Sequence, residues 1–380
     1  MEGKIEMAAP NLSAFIPKHI RELQPYKAGR TIEEVQEEFG LESVVKLASN
    51  ENPLGPPESA IEAAQRSLSN CHRYPDPAAR ELRKMLAERY DLRLENIIVG
   101  AGSEGILASI VRVFLEQGDQ VLTADAAFLG FPILCRTRGV EPTLIPLNSE
   151  YRFDLKAIAD AITETTKLIY LCNPNNPTGT IFTKTEFDRF MERVPSHVLV
   201  LQDEAYCEFA ATNPEFPDSM DYRYDNVITL RTFSKAYGLA GFRVGYGFGH
   251  HELIQALWKV KLPFEPSGPA QAAAQAALED SEYLVKALNI NQQGKGYLCR
   301  ELRRLRVTHY ESYTNFLMMV FESERQVQYL FLELQKRGVI TRPLVQAGLP
   351  NCLRVSIGLP EENRRFVEAL EEIMPSLPTA

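Results

Sequence analysis

The sequence lacks any C-x-x-C pair, although it holds six cysteines, at 71, 135, 172, 207, 299 and 352. In a chain of 380 residues this scatter excludes a disulfide framework and a cysteine zinc site, and predicts a reduced, cytoplasmic protein. Its six histidines show no H-E-x-x-H or similar spacing, so no metal is expected. No run of about 18 apolar residues occurs, which excludes a membrane span. The opening MEGKIEMAAPNLSAF carries acids and no apolar segment, unlike a signal peptide. Positive charge is also short. Lys and Arg number 41 against 50 Asp and Glu, a net charge of −9, which argues against nucleic acid as a partner. A local cationic pocket for a small anion is compatible with that balance.

What is present is an ordinary globular composition, 45% hydrophobic and 24% charged, at a length that suggests two lobes. From about residue 50, short apolar runs alternate with helix-like stretches. NIIVG, QVLTAD, PTLIPL, KLIYLC, VLVLQDEAY, NVITLRTF and FRVGYGFG read as strands. Continuously apolar strands between helices predict an α/β fold with a mostly parallel seven-stranded sheet covered on both faces. That large unit is assigned to residues 50–263. KLPFEPSGP breaks the pattern. The run AQAAAQAALEDSEYLVKALNINQQGKGYLCRELRRL is long and strongly helical by propensity. Residues 264–380 are expected to form a smaller α+β unit, with 1–49 as an N-terminal arm against it. No internal repeat or low-complexity tract is seen.

Four segments carry chemistry. In NIIVGAGSEGILASIV a strand meets Gly100, Gly102 and Gly105 and then a helix, the spacing of a dinucleotide loop. Asp125 lies roughly 20 residues on, where that loop wants its ribose acid. The same AGSEG approximates a nucleophile elbow around Ser103. LRTFSKAYGLAGFRVGYG ends a strand at Thr232, Phe233, Ser234 and Lys235, with Arg243 beyond. A random lysine is a solvated charge, but Lys235 stands between apolar strands, where a lowered pKa would make it a nucleophile. LCNPNNPTGTIFTK is a rigid turn at a strand's carboxyl end, where open α/β sheets place ligands, although an ordinary Asx-rich turn reads the same way. VLVLQDEAYCEF puts Asp203 and Glu204 at the end of an apolar strand, costly unless a cation faces one of them.

Taken in order, LASNENPLGP, RYPDP, NPNNPTG, DEAY, SKAYGLAGFRVG and CLRVSIG, with the arm segment LQPYKAGR, are together highly specific. From about Tyr26 to Arg354 the chain resembles the pyridoxal-phosphate aminotransferases of the aspartate-aminotransferase fold (fold type I), nearest to the histidinol-phosphate aminotransferase subfamily. The resemblance implies roles residue by residue. Lys235 would attach the cofactor covalently and, once released, move the proton of the reaction. Asp203 would pair with the ring nitrogen. Asn176 and Tyr206 would hydrogen-bond the ring's phenolic oxygen, and Phe128 would stack on its face where many relatives have tyrosine. Thr232, Ser234, Arg243 and the amides of Gly102, Ser103 and Glu104 would hold the phosphate at a helix N-terminus. Tyr74 would reach that phosphate from a neighbouring subunit, so a homodimer with shared active sites is implied. Arg354, with Arg342, would clamp the substrate's anionic group, and Tyr26 would close over it.

The loop VKLPFEPSGPAQ departs from the family by placing Glu265 and Pro266 where relatives carry an asparagine-containing segment. An acid there would repel a doubly charged phosphate, and the resemblance includes close relatives that accept aromatic amino acids. Alternatives are therefore an aromatic aminotransferase and, on the same cofactor fold, a decarboxylase. A serine hydrolase built on Ser103 and a non-catalytic binder also remain, as does an NAD-dependent dehydrogenase, although this last leaves Lys235 and NPNNPTG unexplained.

Overall fold

In the computed structural model, described for residues 12–23 and 29–379, thirteen strands form three sheets. The first eight are β1 (Val45–Lys46), β2 (Ile97–Gly100), β3 (Gln120–Ala124), β4 (Thr143–Ile145), β5 (Thr166–Cys172), β6 (Leu199–Asp203), β7 (Val227–Thr232) and β8 (Gly245–Gly249). The carboxyl-terminal part adds β9 (Thr308–His309), β10 (Phe316–Val320), β11 (Val339–Ile340), β12 (Arg342–Pro343) and β13 (Cys352–Ser356).

The central sheet has seven strands in the order β2-β8-β7-β6-β5-β3-β4. The pairs from β7 through β4 are parallel, and β8 runs antiparallel to both of its neighbours. This is the mostly parallel seven-stranded sheet expected from the apolar runs. Burial on both faces explains why those runs do not alternate. In β2, Ile98 enters one core with Leu107, Ile110 and Phe131, while Ile97 and Val99 enter another with Leu82, Tyr246 and Ala274.

A second sheet, in the order β12-β13-β10-β9, is antiparallel. Leu317, Met319, Leu353 and Val355 on its strands pack against Leu298, Leu330 and Phe366 from three helices. The stretch before residue 50 joins this part: β1 pairs in parallel with β11, and Val35 of helix Ile32–Phe39 packs on Ile340. That helix begins with a Thr31–Glu34 capping box and ends at Gly40 with φ 65°, as its sequence signals require. Farther forward, the His19 ring lies against Gly139, beside the central sheet's β4 edge.

The long run is helical as its propensity predicts, divided into two helices, Gly268–Glu279 and Ser281–Arg304. Asp280 separates them with ψ 72°, its Oδ1 accepting the Tyr283 N–H at 3.0 Å and its Oδ2 the Ser59 hydroxyl at 2.8 Å. Averaged propensity hid an N-cap inside the run. Helix Gly268–Glu279 packs its alanines on helix Glu58–Ser67, in the core that holds Val99 and Tyr246.

Candidate active site

Strands β5, β6 and β7 end together. Cys172 pairs with Asp203 in register, Asp203 with Leu230, and Thr232 closes β7. Loops leaving these ends meet the antiparallel sheet around a cleft of about 760 Å³, its open mouth included. Phe128, Asn176, Tyr206, Lys235, Arg342 and Arg354 line it, all six named from the sequence. Tyr26 lies outside the described residues. Tyr74 is 81% exposed, is not among the lining residues, and stacks on Phe264 with ring centroids 4.2 Å apart.

Lys235 is half-buried, with its Nζ donating to the carbonyl oxygens of Ser49 and Asn50, each at 3.4 Å, and standing 5.6 Å from the centre of the Tyr206 ring. Burial, then the charge of Arg354, brings its ammonium down to about 8, with Arg243 adding to the fall and Glu51 and Asp203 opposing it. Near neutral pH a usable fraction is therefore the free amine.

Asp203 is buried. Tyr170 donates its hydroxyl to Oδ2 at 2.8 Å and the Ala205 N–H reaches Oδ1 at 3.1 Å. Burial outweighs these neutral donors and the nearby Lys235 charge, and pushes the carboxyl up to about 6. A cation placed against it would reverse that shift. Its neighbour Glu204 has a separate fate. Glu204 Oε2 accepts from Arg231 at 2.9 and 2.6 Å, and Arg231 also reaches Asp218 at 2.6 Å, so this acid is neutralised away from the cleft.

Beside Lys235 is an anion cradle. Gly102, with φ 73°, opens helix Gly102–Phe114, leaving the first amides of that helix without intrahelical partners. A Cβ at Gly245 would collide with the Ser103 nitrogen, so only glycine lets strand and helix approach this closely. Arg243 Nη2 comes 3.7 Å from Glu104, and the buried Thr232 and Ser234 hydroxyls lie 2.9 Å apart. These residues do not line the cleft itself, but the charges of Arg243 and Glu104 act on Lys235 and Asp203.

On the far wall, Arg354 is buried over the Phe316 ring, 5.0 Å from its centre. It donates to Asn176 Oδ1 at 2.5 Å and to the Ala48 carbonyl at 2.7 Å. Arg342 faces it directly across the β12–β13 register and donates to Gln346 at 3.2 Å. Like charges opposite one another on neighbouring strands repel, and an anion between them relieves the repulsion.

The sequence reading missed Asn50, Tyr170 and Ser356. Asn50 is 1% exposed with φ 55°, a conformation asparagine tolerates better than most residues. The turn-rich SNENP was the available signal. For Tyr170 it was a hydroxyl in a buried strand, which needs a partner.

Two rival readings fail on geometry. Asp125 Oδ1 accepts the Leu147 N–H at 3.1 Å and ties down a loop, as an ordinary strand-end acid does. Among the described residues no histidine hydrogen-bonds Ser103: His250 Nδ1 meets the Glu252 N–H and His309 Nδ1 the Val307 carbonyl instead. Glu265 does not line the cleft; its backbone carbonyl accepts from Lys261.

Residues 42–370 match the family described as aminotransferase class I and II. The chain is 41% identical to a histidinol-phosphate aminotransferase of Symbiobacterium thermophilum, covering 93% of this chain and 96% of that protein. It is 39% identical to histidinol-phosphate aminotransferase 2 of Carboxydothermus hydrogenoformans, covering 96% and 100%. The crystal structure of the Sinorhizobium meliloti histidinol-phosphate aminotransferase in complex with pyridoxal-5'-phosphate superimposes with a TM-score of 0.88 at 30% identity, covering 95% and 98%. By that family match and by relatives about 40% identical over nearly the whole chain, the chain belongs to the class I and II aminotransferase family and is a transaminase.

Proposed function

We propose that this transaminase moves an amino group between histidinol phosphate and 2-oxoglutarate, a step of histidine biosynthesis, with pyridoxal 5'-phosphate as cofactor. The observation that carries the substrate is the facing pair Arg342 and Arg354, both lining the cleft that holds Lys235. Two guanidiniums suit a doubly charged phosphate better than a single carboxylate. The acid in the departing loop, Glu265, does not stand in their way within one chain.

When bound, the cofactor supplies a carbonyl carbon for the amine and a ring that accepts an electron pair. Lys235 would hold it covalently. When free, Lys235 Nζ would take and return the proton of the substrate's amino-bearing carbon, a task suited to an amine brought down to about 8. Asp203 would supply the negative charge for a protonated ring nitrogen. Asn176 and Tyr206 would donate to the phenolic oxygen, and Phe128 would pack on the ring. Thr232, Ser234, Arg243 and the amides of Gly102, Ser103 and Glu104 would hold the phosphate.

Turnover of histidinol phosphate and of phenylalanine, each with 2-oxoglutarate as acceptor, tests the substrate. Histidinol phosphate is expected to be used many-fold better, and the reverse preference would make the protein an aromatic amino acid aminotransferase. For the clamp, Arg354→Lys loses bidentate geometry, and the apparent KM for the amino donor should rise about 10- to 100-fold. The visible absorbance of the bound cofactor should persist. An unchanged KM would remove Arg354 from substrate binding.

The exposed Tyr74–Phe264 stack supports a homodimer in which Tyr74 completes the partner's phosphate site. Chains carrying Tyr74→Phe, mixed with chains carrying Lys235→Ala, should then regain activity, because one site of each mixed dimer has both native residues. Mixed dimers that form and stay inactive would count against shared sites.

A further inference from the structure

Asn50 touches three parts of the site at once. Its carbonyl accepts from Lys235 Nζ at 3.4 Å and from Asn315 at 3.0 Å. Its backbone N–H donates to Ser356 Oγ at 2.9 Å, and its side-chain Nδ2 donates to the Tyr206 hydroxyl at 2.9 Å. Ser356 Oγ in turn donates to Asn50 Oδ1 at 3.2 Å. Asn50, Tyr206 and Ser356 are all buried, so water does not scramble these bonds.

The structure sets the direction of this chain. Ser356 Oγ accepts the Asn50 N–H and gives its single proton to Asn50 Oδ1, so the amide oxygen lies at the Ser356 end and the NH₂ faces Tyr206. An NH₂ only donates, so Tyr206 accepts there, and its own single proton is left for the cleft. Were the amide reversed, its oxygen would take the Tyr206 proton and the cleft would lose a donor.

We propose that Asn50, held by Ser356, is the positioning residue that keeps Tyr206 a hydrogen-bond donor toward the cofactor's phenolic oxygen. This rests on the pyridoxal-phosphate reading above and adds to it a residue that acts through Tyr206. It also ties β13, which carries the Arg354 clamp, to the cofactor's electronic state.

The experiment is a pH titration of the bound cofactor's visible absorbance in the intact holoenzyme. A donor to the phenolic oxygen favours the deprotonated cofactor link and lowers its titration midpoint. Tyr206→Phe should raise the midpoint by about one pH unit or more. Asn50→Asp presents an acceptor to Tyr206 and should raise it comparably. The decisive variant combines the two: its midpoint should match Tyr206→Phe alone within about 0.3 unit, because the tyrosine proton can be lost only once. A shift equal to the sum would mean that Asn50→Asp acts by charge and would overturn the proposal, as would an Asn50→Asp midpoint equal to the native one. If Asn50→Asp does not hold cofactor, Ser356→Ala carries the test. Its upward shift should vanish in the Tyr206→Phe background, and persistence there would overturn the proposal. A native protein without borohydride-sensitive absorbance would instead sink the cofactor reading itself, so the two failures are distinguishable.

Discussion

Replacing Lys235 with alanine should lower turnover by about 10⁴-fold or more while leaving a folded protein that still takes up pyridoxal phosphate. Both roles assigned to this residue leave with its amine: the covalent attachment and the proton transfer. The phosphate cradle at Gly102, Thr232 and Arg243 does not depend on it, so binding survives. Borohydride treatment of the native holoenzyme should abolish the visible absorbance and add the cofactor's mass to the peptide containing Lys235. The alanine variant should gain no such mass, since borohydride can reduce only a free aldehyde there. Reduction of a different lysine, or turnover within tenfold of native, would move the chemistry elsewhere.

Asp203→Asn should act in opposite directions on activity and on the stability of the cofactor-free protein. Turnover should fall about 10²- to 10³-fold, because a buried ring cation loses the charge that faces it. In the apoprotein the aspartate is a liability. Its carboxyl stands at about 6 when folded, against 3.8 ordinarily. An acid with a raised folded pKa binds its proton more tightly folded than unfolded. Stability therefore falls as pH rises from about 4 to 6 and stays lower above that. A shift of about two units is worth about 3 kcal/mol, from which a weakened bond to Tyr170 or Ala205 takes back about 1 kcal/mol. The apoprotein carrying Asp203→Asn should thus be about 2 kcal/mol more stable than native at pH 7.5 and gain nothing below pH 4. Denaturant unfolding at both pH values measures this. A variant less stable than native at pH 7.5 would show that Asp203 is already compensated without cofactor.

The central sheet was readable because burial on both faces leaves continuous apolar runs such as LIYLC and VLVLQ, and because the charged residues that end them have few other reasons to sit there. Lys235 and Asp203 stood out by contrast with their surroundings. Partnership was harder to read than presence. That Asp203 leans on Tyr170, 33 positions away, depends on how β5 lies beside β6. Asn50 and Ser356 meet across 306 positions, and nothing local in SNENP announces that contact. The break at Asp280 was missed for the opposite reason: its signal is one local residue, swamped by helix formers on both sides.

The adjacent acids Asp203 and Glu204 show how the site depends on strand parity. One side chain faces the chemistry and the other is sealed behind Arg231. Side chains in a strand change face at every residue, so one residue inserted upstream in β6 would put Gln202 in the place of Asp203 and Asp203 in the place of Glu204. A neutral amide would then face the chemistry, and the shorter acid would be left to meet Arg231. Each position tolerates graded change by substitution, but the frame of the strand admits none. Slippage of a single residue would cost both the site's charge and the buried ion pair together, so the segment's length is under tighter constraint than most of its letters.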